Sequence, residues 1–142
     1  MNKSEKRLYL ENSLSQQLMM IYIGGNTIFS ILYINNMSVD VQLGFFIMLN
    51  LVLSLVAFLM AVRQKMYASL WGYVGIAFAA FQFARLFWMP EEIVGSVRML
   101  SAALLIITGI SALVGSIICI KRSQERRDFI VEHNIDVATL QR

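Results

Sequence analysis

The sequence predicts an all-α polytopic membrane protein, with four helices in an up-down antiparallel bundle and both termini in the cytoplasm. Of its 142 residues, 58% are hydrophobic and only 15% are charged, whereas globular domains have about 45–50% apolar and about 25% charged residues. Four apolar stretches also approach or reach the length of about 20 residues that crosses a bilayer. A soluble bundle would need polar stripes at helical spacing, and the segment LNLVLSLVAFLMAV has none.

The first predicted span covers residues 18–34 and is the shortest and most polar. Gly24-Gly25-Asn26-Thr27 interrupts it, which marks either a weak point of the helix or a place of close helix contact. Residues 1–17 form a cytoplasmic, mildly amphipathic segment before it. This segment is too polar for a simple cleavable signal, so we expect the first span to be retained.

The second and third spans are predicted over residues 41–62 and 68–89. Asn50 lies near the middle of the second span. Pro90 has no N–H group and disfavours helix in the residue before it, so the third helix should end near Met89.

The fourth span is predicted over residues 99–120, followed by a basic cytoplasmic tail, 121–142. We expect the helix to continue to about Glu132 and to end at His133-Asn134, since Asn tolerates the left-handed cap. A last short turn is predicted over 137–141. The connections between spans are short, which favours antiparallel neighbours.

The distribution of Lys and Arg predicts the orientation, because cytoplasmic loops carry the excess of positive charge. Ten basic residues belong to the two tails and the second connection, against two on the other side, Arg85 and Arg98. The predicted cytoplasmic anchors, which would attract anionic lipids, are Arg63, Lys65, Lys121, Arg122, Arg126 and Arg127. The outer connections are short and acidic, with Asp40, Glu91 and Glu92.

Arg85 lies within the third span, about 6 Å below its predicted outer end. The favoured interpretation is that its side chain snorkels to the headgroups within an aromatic belt. Alternatively, Gln82 and Arg85 face the bundle or a partner and bind an acidic group, such as Glu91, Glu92, a lipid phosphate or a partner's carboxylate. A transported anion is a third interpretation.

Two amides lie deep in the predicted membrane, Asn26 and Asn50. An unpaired amide in lipid is costly, so we expect both to face protein and one to bond the other. Their main expected role is to join helices, and a substrate site is the alternative.

Small residues recur at helical spacing in two spans and predict faces for close helix contact. The face in the fourth span comprises Thr108, Ser111, Ala112, Gly115 and Ser116, and the face in the third span comprises Gly72, Gly75 and Ala79. One face is expected to serve packing within the chain and the other oligomerisation or a partner.

No chemistry-bearing motif emerges, so we predict no enzyme activity, no cofactor and no metal site. The one histidine, His133, lies in the tail, and the single cysteine forms no cluster. The size and layout resemble the small multidrug-resistance transporters, but that resemblance implies a Glu in the first span, where this sequence has Asn26. The basic residues flank apolar runs, which argues against nucleic acid as a partner.

The predicted function is a non-catalytic accessory or assembly subunit that packs against a larger membrane complex or self-associates as a scaffold. The alternative is a small homo-oligomeric transporter or channel, with a polar pathway lined by Asn26, Asn50, Gln82 and Arg85. The expected location is a bacterial inner membrane.

Overall fold

The computed structural model describes residues 12–134, and these form four α-helices with no strand among them. The helices are α1 (Ser13–Asn36), α2 (Val41–Lys65), α3 (Ser69–Ala84) and α4 (Gly95–Glu132). Of the amphipathic segment predicted over 1–17, residues 1–11 lie outside the described residues, as does the short turn predicted over 137–141. Residues 13–17 belong to α1, which therefore starts earlier than the predicted span at residue 18. An all-α fold is therefore confirmed.

Three of these helices, α1, α2 and α4, are long and apolar enough to cross a membrane. Helix α3 is apolar but has only 16 residues, which corresponds to about 24 Å of helix. These lengths and compositions indicate a membrane protein.

Helix α3 ends at Ala84, five residues before the predicted end at Met89. The chain then tightens into a turn, in which the N–H groups of Leu86 and Phe87 donate to the carbonyls of Phe83 and Ala84, both at 3.1 Å. Such bonds over three residues commonly close the last turn of a helix. The helix therefore ends at a turn between Ala84 and Pro90, which the sequence did not predict, and not at Pro90 itself.

The helix starts and the last helix end have local causes. Asp40 caps α2, with its side chain accepting a hydrogen bond from the Leu43 N–H at 2.8 Å, which satisfies a donor left free at a helix start. Gly95, with φ of +64°, turns the chain into α4 in a conformation that glycine adopts readily. At the other end, α4 stops at Glu132, where we expected it to stop, and Asn134 has φ of +49°.

Helix α4 is the centre of the bundle and α2 is its most peripheral helix. Helix α4 packs along α1 and α3, whereas α2 packs mainly on α1. In the most apolar 18-residue window, 44% of α4 is buried but only 22% of α1 and of α2, and of these two α2 has fewer contacts with the other helices. Helix α2 therefore presents a broad apolar surface to the surroundings of the bundle.

Both small-residue faces are used inside the chain. A Cβ at Gly75 would collide with the Ser116 Oγ of α4, and one at Gly72 would lie 3.1 Å from the Ser116 carbonyl. On the other side of α4, a Cβ at Gly115 would lie 3.1 Å from the Leu18 Cβ of α1. This differs from the expectation that one face stays available for a partner, because α4 lies between α1 and α3 and needs small residues toward each.

An apolar layer divides the interior into two halves. It consists of buried side chains from all four helices: Met19, Tyr22, Ala57, Met60, Ala61, Ala79 and Ala112. On one side lies the basic end, where the Asn12 N–H donates to the Lys65 carbonyl at 2.9 Å and Arg122 donates to the Asn12 side chain at 3.2 Å. On the other side lies the Pro90 end, where Arg98 donates to the Pro90 carbonyl at 3.3 Å.

Candidate functional site

Arg85 lies inside the bundle, with only 7% of its surface exposed. Its Nη1 donates to the Asn26 Oδ1 at 2.9 Å and to the Gln82 Oε1 at 3.3 Å. Its Nη2 donates to the Asn50 Oδ1 at 3.2 Å. The snorkelling interpretation is therefore wrong: the turn after Ala84 carries this side chain toward α1 and α2.

The same side chains are joined to one another and to α4. The Gln82 Nε2 donates to the Thr108 Oγ1 at 2.8 Å, and the Asn26 Nδ2 donates to the Asn50 Oδ1 at 3.3 Å. The Ser30 hydroxyl donates to the same Asn50 oxygen at 3.2 Å. We call these side chains the Arg85 network; its members are Asn26, Ser30, Asn50, Gln82, Arg85 and Thr108. Its members come from all four helices, and Arg85 comes from the turn after α3.

The bond expected between Asn26 and Asn50 is thus present, and the four intramembrane polar residues singled out in the sequence meet at one place. Asn26 and Gln82 have no exposed surface, and Asn50 has 6%. The set faces the interior of a single chain. A pathway between subunits would instead need these side chains on the outer surface of the bundle.

Three aromatic rings surround the guanidinium. The Arg85 Cζ lies 4.5 Å from the ring centroid of Phe29, 5.4 Å from that of Phe46 and 5.8 Å from that of Phe81. Cations are attracted to the faces of aromatic rings at such distances, and more strongly where water is excluded. Phe81 lies on α3, four residues before Arg85, whereas Phe29 and Phe46 come from α1 and α2.

The charge of Arg85 has no acidic partner among residues 12–134. Its hydrogen-bond acceptors are neutral amide oxygens, and the expected partners Glu91, Glu92 and Asp40 lie exposed. A guanidinium has five N–H donors, and three of them are used here. Two donors and a full positive charge therefore remain without an acceptor in this part of the chain.

A cavity of about 310 Å³ lies directly beside Arg85. We call it the aromatic cavity; its walls are formed by Phe29, Tyr33, Phe46, Leu49, Phe81, Arg85, Trp88, Met89 and Pro90. The rings of Tyr33 and Phe46 stack on each other, with centroids 3.6 Å apart. Leu49 and Trp88 are 45% and 73% exposed, so the cavity has an open side.

A second depression runs between α1 and α2 on the surface of the bundle. This α1–α2 groove, about 300 Å³ in volume, is lined by Thr27, Ser30, Ile34, Phe46, Ile47, Asn50, Leu51 and Ser54. Thr27 and Ser30 donate their hydroxyls to carbonyls of their own helix, both at 2.8 Å. The half-buried Ser54 hydroxyl has no hydrogen-bond partner in the described part of the chain.

A second polar cluster, not foreseen from the sequence, lies at the basic end. Gln64 is fully buried, and its Nε2 donates to the Trp71 carbonyl at 3.1 Å and to the Ser116 Oγ at 3.2 Å. The Ser15 hydroxyl donates to the Gly115 carbonyl at 2.8 Å. We call Ser15, Gln64 and Ser116 the Gln64 cluster. Gln64 falls between the predicted spans 41–62 and 68–89, whereas α2 continues to Lys65. Its helical spacing from buried Ala57 and Ala61 was the signal that could have placed it inside.

The predicted basic anchors differ in their surroundings. Arg63, Lys121 and Arg127 are exposed, whereas Lys65, Arg122 and Arg126 are half-buried. The Arg126 Cζ lies 5.0 Å from the ring centroid of Tyr67. Arg126 and Arg127 line a depression of about 440 Å³ together with Tyr67, Ser69, Ser123, Ile130 and Val131.

Within residues 12–134, the His, Cys, Asp and Glu side chains form no group of three or more that could hold a metal ion. Cys119 is buried as a free thiol.

No family model, curated protein or solved structure matches this chain. The Arg85 network, the aromatic cavity and the α1–α2 groove are the features of this chain that bear on its function.

Proposed function

We propose that this protein is a non-catalytic membrane subunit that docks against a helix of a membrane partner through the α1–α2 groove. The observation that carries the proposal is the Ser54 hydroxyl in that groove, which lacks a hydrogen-bond partner among the described residues. Hydrocarbon offers no acceptor or donor, so polar side chains in membrane helices turn toward protein. A helix seated in the groove would supply the missing partner.

The exposed surface of α2 supports the same proposal. Large apolar side chains cover it, including Phe45, Leu51, Leu55 and Phe58. Since the small-residue faces are already occupied within the chain, a partner would bind elsewhere, and α2 is the helix with the least intrachain packing. The partner is either a larger membrane protein or a second copy of this chain.

The proposed topology has four antiparallel spans with both termini in the cytoplasm. The contacts of Asn12 with Lys65, and of Arg122 with Asn12, support it because they bring basic residues from α2 and α4 to the start of α1. In this arrangement α3, with the turn that follows it, is the third span. The positive charge then lies on the side where membrane proteins carry its excess, in a bacterial inner membrane.

A transporter is the second candidate, favoured by the convergence of Asn26, Asn50, Gln82 and Arg85 beside a cavity. A pathway would have to continue toward the basic end. On that side the interior is filled by the apolar layer, where Met19 and Met60 have no exposed surface. The geometry therefore supports a binding subunit better than a conduit.

Photo-crosslinking tests the docking proposal. A benzophenone amino acid at Leu51, in the groove, should give one discrete adduct in source membranes, and the same probe at Ile110 on α4 should give none. Leu51 and Ile110 are 58% and 50% exposed, so both probes reach the surroundings of the bundle. An adduct of twice the chain mass identifies a second copy as the partner.

A blocking substitution separates docking from chance proximity. Ser54→Trp fills the groove and should lower recovery of the intact complex about tenfold without lowering thermal stability in detergent. Ala77→Trp, at an exposed small residue on α3, is the matched control and should leave recovery unchanged. Equal adducts at positions 51 and 110, or full recovery with Ser54→Trp, would contradict the proposal.

A further inference from the structure

The aromatic cavity has features that packing alone does not require. It lies beside the only charged side chain of the Arg85 network, and its other walls are almost entirely apolar. Its volume of about 310 Å³ is at the lower end of the range of about 300–1,000 Å³ found for small-molecule sites. A site of this size takes a headgroup and the carbons next to it.

The charge beside the cavity identifies the ligand class. Arg85 is held by three neutral oxygens, which satisfy donors without cancelling its charge. A buried cation without an anion is costly in a medium of low dielectric constant. Carboxylates and phosphates match the planar guanidinium best, because they accept two parallel N–H bonds.

The walls identify the rest of the ligand. Phe29, Phe46 and Phe81 place their rings around the guanidinium, so a bound anion would be in contact with apolar surface. Exposed Leu49 and Trp88 form the rim, which opens toward the apolar surroundings of α2 and the turn after α3. An anion with an apolar body fits both features, whereas a small hydrated anion would have to lose its hydration shell.

We propose that the aromatic cavity binds one anionic group, a carboxylate or a phosphate, carried on an apolar body, and that the unused N–H donors of Arg85 hold it. This chemistry has two possible sources: the headgroup of an anionic bilayer lipid, or a free amphiphilic acid. The site lies inside one chain and does not depend on the partner proposed for the α1–α2 groove.

Native mass spectrometry of the detergent-solubilised full chain tests the charge requirement. Oleate and oleyl alcohol share one tail and differ in the anionic group, as phosphatidylglycerol and diacylglycerol do. We expect the anionic member of at least one pair to be retained about tenfold more than its neutral counterpart. Preference within the lipid pair identifies a bilayer lipid as the source, and preference within the oleate pair alone identifies a free acid.

Arg85→Gln should remove this preference, reducing the ratio to about one, because the amide carries no charge. A filling variant, Leu49→Trp, leaves the Arg85 network intact and should reduce retention of the anionic probe about tenfold. Leu59→Trp is its matched control on the same helix, since Leu49 and Leu59 are 45% and 43% exposed and Leu59 is not a wall of the cavity. This control should bind like the original chain.

Three results would each overturn the proposal. The first is equal retention within both probe pairs by the original chain. The second is a charge preference that survives in folded Arg85→Gln. The third is equal retention by Leu49→Trp and Leu59→Trp, and this comparison remains decisive if Arg85→Gln fails to fold.

Discussion

The Arg85 network and the Gln64 cluster occupy the same bundle on opposite sides of the apolar layer, yet they differ in charge and in the space beside them. The Gln64 cluster is neutral and sits where Gly75 lets α3 approach α4 closely. The Arg85 network contains a cation without an anion and borders a cavity of about 310 Å³. Within the Gln64 cluster the Gln64 Oε1 also lacks a hydrogen-bond partner among the described residues, but it carries no net charge and borders a close helix contact. The Arg85 network has both a net charge and adjacent space, which together allow a ligand to bind.

Net charge and adjacent empty space distinguish ligand-binding polar residues from those that only connect helices in a membrane bundle. Polar bonds between membrane helices contribute only about 0.6 kcal/mol on average, so a neutral cluster specifies which faces meet and does little more. A buried charge whose hydrogen-bond partners are all neutral amides has a desolvation cost that no opposite charge offsets. We therefore expect changes in the Gln64 cluster to affect mainly stability, and changes at Arg85 to affect mainly ligand binding.

The largest expected effect comes from filling the close contact beside the Gln64 cluster. Gly75→Val should lower the free energy of unfolding by about 3 kcal/mol, because the new side chain meets the Ser116 Oγ and the Gln64 Nε2 in an interior without room for it. Titration with a denaturing detergent measures the change. Gly24→Val is the control, since a Cβ there meets nothing within 4 Å, and an equal loss in both variants would mean that helix propensity, not packing, is responsible.

The next effect has the opposite sign and concerns Arg85. Asn26→Asp places a carboxylate where the Asn26 Oδ1 lies 2.9 Å from the Arg85 Nη1, which adds a charged hydrogen bond but removes the bond that the Asn26 Nδ2 donates to Asn50. The net result should be a rise of about 1 kcal/mol in the free energy of unfolding. The same change should abolish the preference for anionic probes, because the charge of Arg85 is then compensated within the chain. A stabilised variant that still prefers oleate over oleyl alcohol would argue against Arg85 as the anion-binding group.

Replacing Gln64 and Arg85 one at a time compares how much each polar side chain contributes to stability. Gln64→Leu should cost about 1 kcal/mol, since it removes two hydrogen bonds and leaves the Ser116 hydroxyl with a lost partner. Removal of the buried Gln64 Oε1, which has no partner among the described residues, offsets part of this loss. Arg85→Gln should cost less than about 1 kcal/mol, because the lost bonds are offset by the removal of a buried, unpaired charge. The two variants are compared in the same denaturing-detergent titration. A larger loss for Arg85→Gln would identify Arg85 as a structural residue, like Gln64.

The smallest expected effect concerns the second arginine that lies over a ring. Arg126→Ala should lower the free energy of unfolding by less than about 1 kcal/mol, because its guanidinium lies 5.0 Å from the Tyr67 ring on a half-exposed side chain. Thermal unfolding in detergent measures the change, with Arg127→Ala as the exposed neighbouring control. A loss above about 2 kcal/mol would contradict this prediction and identify Arg126 as a structural residue of the basic end.

Composition and periodicity were enough to predict the helical class and the positions of the long apolar segments. They predicted the start of α2 at Val41 and the end of α4 near Glu132, both close to local capping signals. These features depend on neighbours along the chain: apolar length, a capping Asp40, and a residue tolerant of positive φ. The meeting of Asn26 with Asn50 also followed from the cost of leaving two amides unpaired in lipid.

The direction of the Arg85 side chain and the burial of Gln64 could not be obtained in this way. Both depend on contacts between residues far apart in the chain, such as Arg85 with Asn26 and Gln64 with Ser116. The same holds for the cavity, whose walls come from α1, α2, α3 and the turn after it. Hydrophobicity and capping act over one or two helical turns, so they specify which segments become helices. The packing of all four helices decides which face of each helix meets which neighbour. That packing places Arg85 inside the bundle.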